Sequence, residues 1–132
     1  MFHRGRGNAI FTVAAAAALV LCAVALFNGE TAEAASFIVG NAKGWAFDVN
    51  DWPNGKSFKA EDTLVFNYNP KLHNVVVVKE SSDFINCKVP AGATVFTSGK
   101  DHVALVRGHN LFICGRPGHC EFGFMNINVT AA

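Results

Sequence analysis

Residues 114–125 read Cys-Gly-Arg-Pro-Gly-His-Cys-Glu-Phe-Gly-Phe-Met, which places two thiols, an imidazole and a thioether in one short stretch. Cys114 and Cys120 flank His119, and Met125 follows close behind. The Pro-Gly pair between the first cysteine and the histidine bends the chain, so that both side chains can approach one point. The stretch therefore predicts a chemically active loop that follows a strand.

The cysteine count sets this loop apart from an ordinary disulfide framework. Beyond the first 34 residues the chain has three cysteines, Cys87, Cys114 and Cys120. Any one of the three possible bridges between them leaves one thiol free. A bridge from Cys114 to Cys120 would use both sulfurs beside the histidine. We favour a bridge from Cys87 to Cys120, which ties two distant segments and should stabilise the fold by about 3 to 4 kcal/mol in the chain-entropy model.

Metal binding gives the remaining thiol a function. His73 follows an Asn-Pro turn and directly precedes the apolar run Val75–Val78, so the fold can hold it rigidly at the rim of a sandwich. Two imidazoles and one thiolate, with Met125 as a weak axial thioether, form the ligand set of an electron-transfer copper site. An inert buried thiol and a structural histidine are the alternatives. The Cys-x4-His spacing, joined to the odd thiol, favours His73, Cys114 and His119 as ligands.

The first 34 residues predict a secretory signal peptide. A positive segment precedes the apolar run Ala9–Phe27, and Ala32-Glu33-Ala34 offers small residues at the cleavage positions. A membrane anchor is the alternative, but the alanine richness and the Ala-x-Ala exit favour cleavage. We place the mature start at Ala35, which makes residues 35–132 one secreted domain. Because the carboxyl end has no hydrophobic tail of the kind that directs lipid attachment, we expect no membrane anchor.

Charge and composition exclude several function classes. From residue 35 onward, seven Lys and two Arg face eight Asp and Glu, so neither a nucleic-acid surface nor a polybasic membrane patch is indicated. No carboxylate, serine or second histidine pair near the motif suggests acid–base or nucleophilic catalysis, and we do not expect an enzyme. His102 and His109 are expected to be surface residues. We expect a monomer.

The strand pattern predicts an all-β domain. Short apolar or alternating runs recur between turn signals rich in Gly, Pro and Asn, as in a sandwich of antiparallel strands. The predicted strands are Ser36–Val39, Thr63–Tyr68, Asn74–Lys79, Thr94–Thr97, His102–Val106, Asn110–Cys114 and Phe124–Val129. Residues 79–86 could hold a short helix or an irregular turn. We expect two packed sheets with Greek-key connections.

The mature domain resembles the phytocyanin family of cupredoxins, and within it the plantacyanin branch. The motifs that carry the resemblance are Phe37-Ile38-Val39-Gly40, Gly44-Trp45, Trp52-Pro53, Phe66-Asn67-Tyr68-Asn69-Pro70, His73-Asn74-Val75-Val76-Val77-Val78, Pro90-Ala91-Gly92-Ala93, Thr97-Ser98-Gly99, Phe112-Ile113-Cys114 and Pro117-Gly118-His119-Cys120. They cover essentially all of residues 35–132.

The resemblance implies a cupredoxin-like sandwich with one type 1 copper bound by His73, Cys114, His119 and a methionine, and a disulfide between Cys87 and Cys120. It further implies secretion to the plant cell wall space, where the protein would act as a single-electron carrier. The redox partner, a small molecule or an extracellular protein, is unknown from the sequence. The alternative is an extracellular binding or signalling module in which copper redox activity is incidental.

The methionine spacing departs from the family. The plantacyanin pattern is His-Cys-x-x-Gly-Met, whereas this chain has one more residue, so that Phe124 takes the counted place. Strand phase favours Met125 as the axial ligand, because Met125, Ile127 and Val129 share one face and their apolar side chains must be buried. We expect a β-bulge to absorb the extra residue. If Phe124 covers the metal instead, the site becomes three-coordinate.

Two asparagines carry further predictions. Asn128 begins Asn-Val-Thr, a formal glycosylation acceptor, and falls on the predicted polar face of the last strand. Asn74 beside His73 either helps to hold the two ligand loops together, as the resemblance suggests, or only caps a turn.

Overall fold

The computed structural model of the chain describes residues 33–132. The predicted leader, residues 1–34, lies outside this part except for its last two residues. Residues Ala34–Ala132 form one compact unit. Its elements are β1 (Ser36–Ile38), a 3-10 turn (Asn41–Lys43), β2 (Thr63–Asn67), β3 (Val75–Val78), helix α1 (Ser81–Ile85), β4 (Thr94–Phe96), β5 (Lys100–Ala104), β6 (Gly108–Ile113) and β7 (Asn126–Ala131). None of the helices in residues 33–132 has the length and apolar character that crossing a membrane requires.

The strands form two sheets, of order β1-β2-β5 and β4-β3-β6-β7. One pairing differs from the all-antiparallel expectation, because β1 runs parallel to β2, with Ser36 opposite Thr63 and Ile38 opposite Val65. A parallel pair needs a crossover of a dozen or more residues. The long segment between Ile38 and Thr63 provides this crossover. The parallel direction could not be predicted, because the turn signals within that segment do not indicate strand direction.

The positions at which the strands end are determined by backbone pairing more than by the local amino-acid composition. β5, β6 and β7 are each displaced by about two residues from the ranges that the apolar runs predicted. The ladder between β6 and β7 is uninterrupted from the pair Gly108 and Ala131 to the pair Ile113 and Asn126. The polar residues at these ends belong to the strands because their backbone groups are paired. Of the two alternatives for residues 79–86, the short helix is the one that forms, as α1.

The core lies between the two sheets. Trp45, Phe66 and Phe112 are among its largest fully buried side chains. Edge-on and tilted contacts join them, with ring centroids 5.2 Å apart for Trp45 and Phe66 and 5.1 Å apart for Phe66 and Phe112. Aromatic pairs of this kind add about 0.5 to 1.5 kcal/mol beyond the burial of their area. The resulting scaffold is stiff beneath the loops that carry the predicted ligands.

A partly buried polar cluster connects the two sheets. The Tyr68 hydroxyl, just beyond β2, bonds to the Asp101 carboxylate of β5 and lies 3.0 Å from the Phe96 carbonyl oxygen of β4. Ser98 donates its hydroxyl and its backbone N–H to the same carboxylate. Burial, followed by the hydrogen bond to Asp101, raises the pKa of Tyr68 to about 12.

Candidate metal centre

Three separate segments bring His73, Cys114 and His119 together. His73 lies between β2 and β3, where its backbone N–H donates to the Asn69 carbonyl oxygen at 3.1 Å and closes a turn. Cys114 directly follows β6, and His119 lies in the loop that leads to β7, its N–H donating to the Arg116 carbonyl oxygen at 3.2 Å. These backbone hydrogen bonds and the end of β6 position the backbone at the three residues.

The donor atoms have a spacing that suits a single ion. One ligand atom from each residue lies within 4.8 Å of the other two. The Nδ1 atoms of His73 and His119 are 3.0 Å apart, and Cys114 Sγ is 3.6 Å from His119 Nδ1. Nitrogen and sulfur ligands about 2.0 and 2.3 Å from one ion would be about 3.3 to 3.6 Å from each other. The Cys114–His119 pair has this spacing, and the two histidine nitrogens lie slightly closer to each other. Two nitrogens and one thiolate form a donor set that suits a copper ion.

The burial of His73 favours the neutral imidazole, which is the form that binds a metal. The side chain is only 9% exposed. Burial, followed by the nearby His119 and Arg116, lowers the pKa of His73. The imidazole is therefore neutral near pH 7, and a nitrogen lone pair is available to a metal.

The loop before β7 turns Met125 inward and Phe124 outward. Met125 is fully buried in the core cluster that also contains Cys114, whereas Phe124 is 49% exposed. The Cys114 N–H donates to the Met125 carbonyl oxygen at 2.9 Å, so the β6–β7 pairing extends by one more step. The predicted strand phase is thus confirmed: Met125, Ile127 and Val129 are buried, and Asn128 is exposed.

The expected β-bulge is wrong, because the extra residue is absorbed before the strand begins. The N–H groups of Phe122 and Gly123 both donate to the Gly118 carbonyl oxygen, at 3.0 and 3.2 Å, and the Met125 N–H donates to the His119 carbonyl oxygen at 3.1 Å. Phe124 adopts a left-handed backbone with φ of 51°. This conformation is unfavourable for a residue with a Cβ atom, but it reverses the chain so that a regular ladder can follow.

The disulfide joins Cys87 and Cys120, as expected. It ties the end of the histidine loop to the segment just after α1. Among the described residues Cys114 is the free cysteine, and it is buried. The bridge therefore anchors the loop beside His119 without using the third sulfur.

Asn74 connects the two ligand loops. Its side-chain Oδ1 accepts the Gly115 N–H at 2.6 Å, and its backbone carbonyl accepts the Trp45 indole N–H at 2.8 Å. The residue after His73 is thus bonded to the residue after Cys114. Of the two roles considered for Asn74, these contacts support the one that holds the loops together.

Phe47 is a site residue that sequence reasoning missed. Its ring contacts both histidines edge-on, with centroids 4.8 Å from His119 and 5.4 Å from His73. A Cβ atom at Gly123 would lie 2.5 Å from this ring, so a glycine is needed there for the packing. Phe47 lies in an irregular segment far from the ligand motifs, and no spacing rule links it to them.

A cleft opens beside His119. It has a volume of about 450 Å³, and its walls include Phe47, Pro117 and Phe122. Phe122 is 85% exposed, and His119 is half-buried. His102 and His109 are exposed and do not belong to the three-residue cluster.

Comparisons with known proteins agree with this centre. Residues 37–124 match the family model of the plastocyanin-like domain. The chain is 47% identical to the basic blue protein of Arabidopsis thaliana over 128 residues, which cover 97% of this chain and 98% of the relative. The solved cucumber basic protein, a blue copper protein, aligns with a TM-score of 0.72 and 50% identity, covering 74% of this chain and 100% of its own.

Spinach plantacyanin aligns with a TM-score of 0.62 and 47% identity, covering 67% of this chain and 94% of its own. These matches fit a cupredoxin-like sandwich with one disulfide. The Cys-His-His cluster and the blue copper relatives together indicate one copper ion. The chain belongs to the phytocyanin family of plastocyanin-like blue copper proteins, among the relatives of plantacyanin and the basic blue proteins.

Proposed function

We propose that residues 35–132 form a secreted single-electron carrier in which His73, Cys114, His119 and Met125 hold one type 1 copper. The observation that carries the proposal is the convergence of two histidine nitrogens and one reduced, buried thiol at the rim of a rigid sandwich. When bound there, copper would provide reversible one-electron chemistry. A scaffold that holds these four side chains in place would need little rearrangement between the two oxidation states, which favours electron transfer.

The side chains around the cluster favour electron transfer over catalysis. A catalytic metal site keeps one position open for substrate. Here the fully buried Met125 would be the fourth ligand, and Phe47 packs against both imidazoles. We therefore propose that the protein exchanges electrons with a partner and does not catalyse a reaction of its own.

His119 is the proposed point of electron entry and exit. Of the two imidazoles, His73 is buried and His119 is half-buried beside the open cleft. The exposed phenyl group of Phe122 gives this cleft an apolar wall that a small redox molecule or an extracellular protein could contact. A partner seated there would come close to the imidazole edge.

Secretion is part of the proposal. The alignment with the solved cucumber protein covers 74% of this chain. Residues 35–132 make up the same fraction of the 132 residues. Together with the Ala-x-Ala pattern, this supports removal of residues 1–34. Because the relatives come from Arabidopsis, cucumber and spinach, we propose the plant cell wall space as the location. Asn128, which is exposed, is the proposed glycosylation acceptor.

A visible spectrum of the processed protein loaded with copper tests the central claim. We expect an intense thiolate-to-copper band that bleaches when a mild reductant is added and returns on reoxidation. A folded protein that stays colourless with copper would contradict the electron-carrier proposal. That result would favour the alternative, an extracellular binding or signalling module with the same fold.

A further inference from the structure

A buried carboxylate lies next to the predicted start of the mature chain. Asp62 is in the turn before β2 and is only 2% exposed. Its Oδ1 accepts the backbone N–H of Ala35 at 2.8 Å, and its Oδ2 accepts the backbone N–H of Lys59 at 2.8 Å. Burying an ionised carboxylate is costly unless charge or hydrogen bonding compensates it. The hydrogen bonds from the Ala35 and Lys59 backbone outweigh the effect of burial and lower the pKa of Asp62, so the carboxylate is charged and ready to accept a cation.

The nitrogen atom that faces Asp62 changes its chemistry when the leader is removed. In the intact chain the Ala35 nitrogen is an amide with one N–H. After cleavage between Ala34 and Ala35 it becomes an α-ammonium group with a positive charge and three N–H donors. Ala34 and Ala35 are both exposed, so the new group would keep water on its outer side. It would therefore need little desolvation.

The backbone fixes this nitrogen in place. The Ala35 carbonyl oxygen accepts the Thr63 N–H at 2.8 Å, which continues the pairing of β1 with β2 up to the cleavage position. β1 has only three residues and pairs with β2 alone. A charged contact at Ala35, the residue just before β1, would therefore act on a weakly held edge.

We propose that Asp62 is the acceptor site for the α-ammonium group that leader removal creates at Ala35, so that processing converts a hydrogen bond into an ion pair that fastens β1. This inference rests on the leader cleavage proposed above. It makes the processed domain more stable than the same domain with any residue still attached to Ala35. It also selects Ala35 as the mature start, because moving the start by one residue shifts the charge by about 3.3 Å.

The experiment compares two forms of the copper-loaded protein, one beginning at Ala35 and one beginning at Ala34. Both carry the same charges, and the Ala35 nitrogen remains an amide in the longer form. With Asp62 present, we expect the shorter form to have about a tenfold smaller unfolding equilibrium constant in urea, which corresponds to about 1.4 kcal/mol. In the Asp62→Asn background we expect the difference to disappear, and in Asp51→Asn, an exposed carboxylate, we expect it to persist.

Equal stability of the two forms with Asp62 intact would overturn the inference. If Asp62→Asn does not fold, an NMR titration of the α-amino group decides the question. Its pKa should be raised in the Ala35 form relative to the Ala34 form, and equal values would contradict the ion pair.

Mass spectrometry of the secreted full-length product tests the start separately, and a start other than Ala35 overturns the inference. A missing blue band would contradict the electron-carrier proposal alone, because the comparison at Asp62 does not depend on colour.

Discussion

The thiol of Cys114 is the residue whose replacement should have the largest effect on the metal centre. Its Sγ lies 3.6 Å from His119 Nδ1 and is buried at the end of β6. A serine hydroxyl is nearly isosteric but is a poor ligand for a soft metal site. We expect Cys114→Ser to fold, with unchanged far-UV circular dichroism, and to show no blue band with copper.

Thiol counting provides the control for this variant. The denatured, metal-free domain should contain one free thiol, whereas Cys114→Ser should contain none, because Cys87 and Cys120 remain bridged. A variant that remains blue, or one that still has a free thiol, would refute the ligand assignment.

The inward position of Met125 leads to a test of the axial ligand. Met125→Leu conserves volume in the core and should cost less than about 1.5 kcal/mol of stability. Removing a weak thioether donor should destabilise Cu(II) more than Cu(I) and so raise the reduction potential. A rise of about 59 mV would mean a tenfold change in the relative affinity for the two oxidation states.

Phe124→Leu is the matched variant, because Phe124 is half-exposed and adjacent in sequence. We expect its potential to stay close to that of the parent protein in voltammetry. If Met125→Leu left the potential unmoved while Phe124→Leu shifted it, the assignment of the axial position to Met125 would be wrong.

At the level of elements, the disulfide connects the histidine loop to the segment after α1. Cys87 and Cys120 are 33 residues apart in sequence, and closing such a loop should stabilise the fold by about 3 to 4 kcal/mol in the chain-entropy model. We expect the double variant Cys87→Ser, Cys120→Ser to lose roughly this amount in urea unfolding. Because Cys114 is not part of the bridge, the copper-loaded variant should remain blue. A loss of colour with unchanged stability would contradict this division of roles.

The contact between Tyr68 and Asp101 joins β2 to β5 and predicts a stability change at high pH. Because the pKa of Tyr68 is raised to about 12 in the folded state from about 10 in the unfolded state, its contribution is complete below about pH 10. That contribution is lost as the pH rises toward 12, since the unfolded chain then releases its proton first. Tyr68 is the only tyrosine in the sequence. Its ultraviolet titration therefore reports this one group without overlap.

We expect tyrosinate absorbance to appear near pH 12 in the folded protein and near pH 10 in concentrated urea. Tyr68→Phe should be less stable near pH 7 by about 0.5 to 1.5 kcal/mol, because Asp101 loses one partly buried hydrogen-bond donor and keeps those of Ser98. The difference between the two proteins should shrink above pH 10. A titration near pH 10 in the folded protein would show that the buried hydrogen bond does not form.

The sequence predicted the cluster of candidate ligands better than its surroundings. The convergence of His73, Cys114 and His119 could be predicted because few residue types bind copper, and their spacing in the chain is restrictive. Phe47 could not, because its contacts with the two imidazoles arise from packing between distant segments that have no chemical signature. The phase of β7 was predictable from the alternation of Met125, Ile127 and Val129. The turn at Phe124 was not, because a phenylalanine rarely has a left-handed backbone.

At the scale of the whole molecule, the metal centre depends on the packing of the core, but the core does not depend on the metal. None of the proposed copper ligands is one of the aromatic residues Trp45, Phe66 and Phe112 or belongs to the network at Asp101. Cys114 and Met125 belong to the same core as these aromatic side chains, so that packing holds two of the four proposed ligands. The fold should therefore exist before the metal binds.

This arrangement predicts how the protein responds to copper removal. Ligands from three segments converge only in the folded state, so copper should stabilise that state by mass action, by about 2.7 kcal/mol when free copper is at 100 times its dissociation constant. We expect the metal-free domain to unfold cooperatively, but at a lower urea concentration than the loaded domain. Cys114→Ser should show little of this difference, because the proposed thiolate ligand is missing. A metal-free domain without a cooperative transition would show that packing alone does not hold the sandwich together.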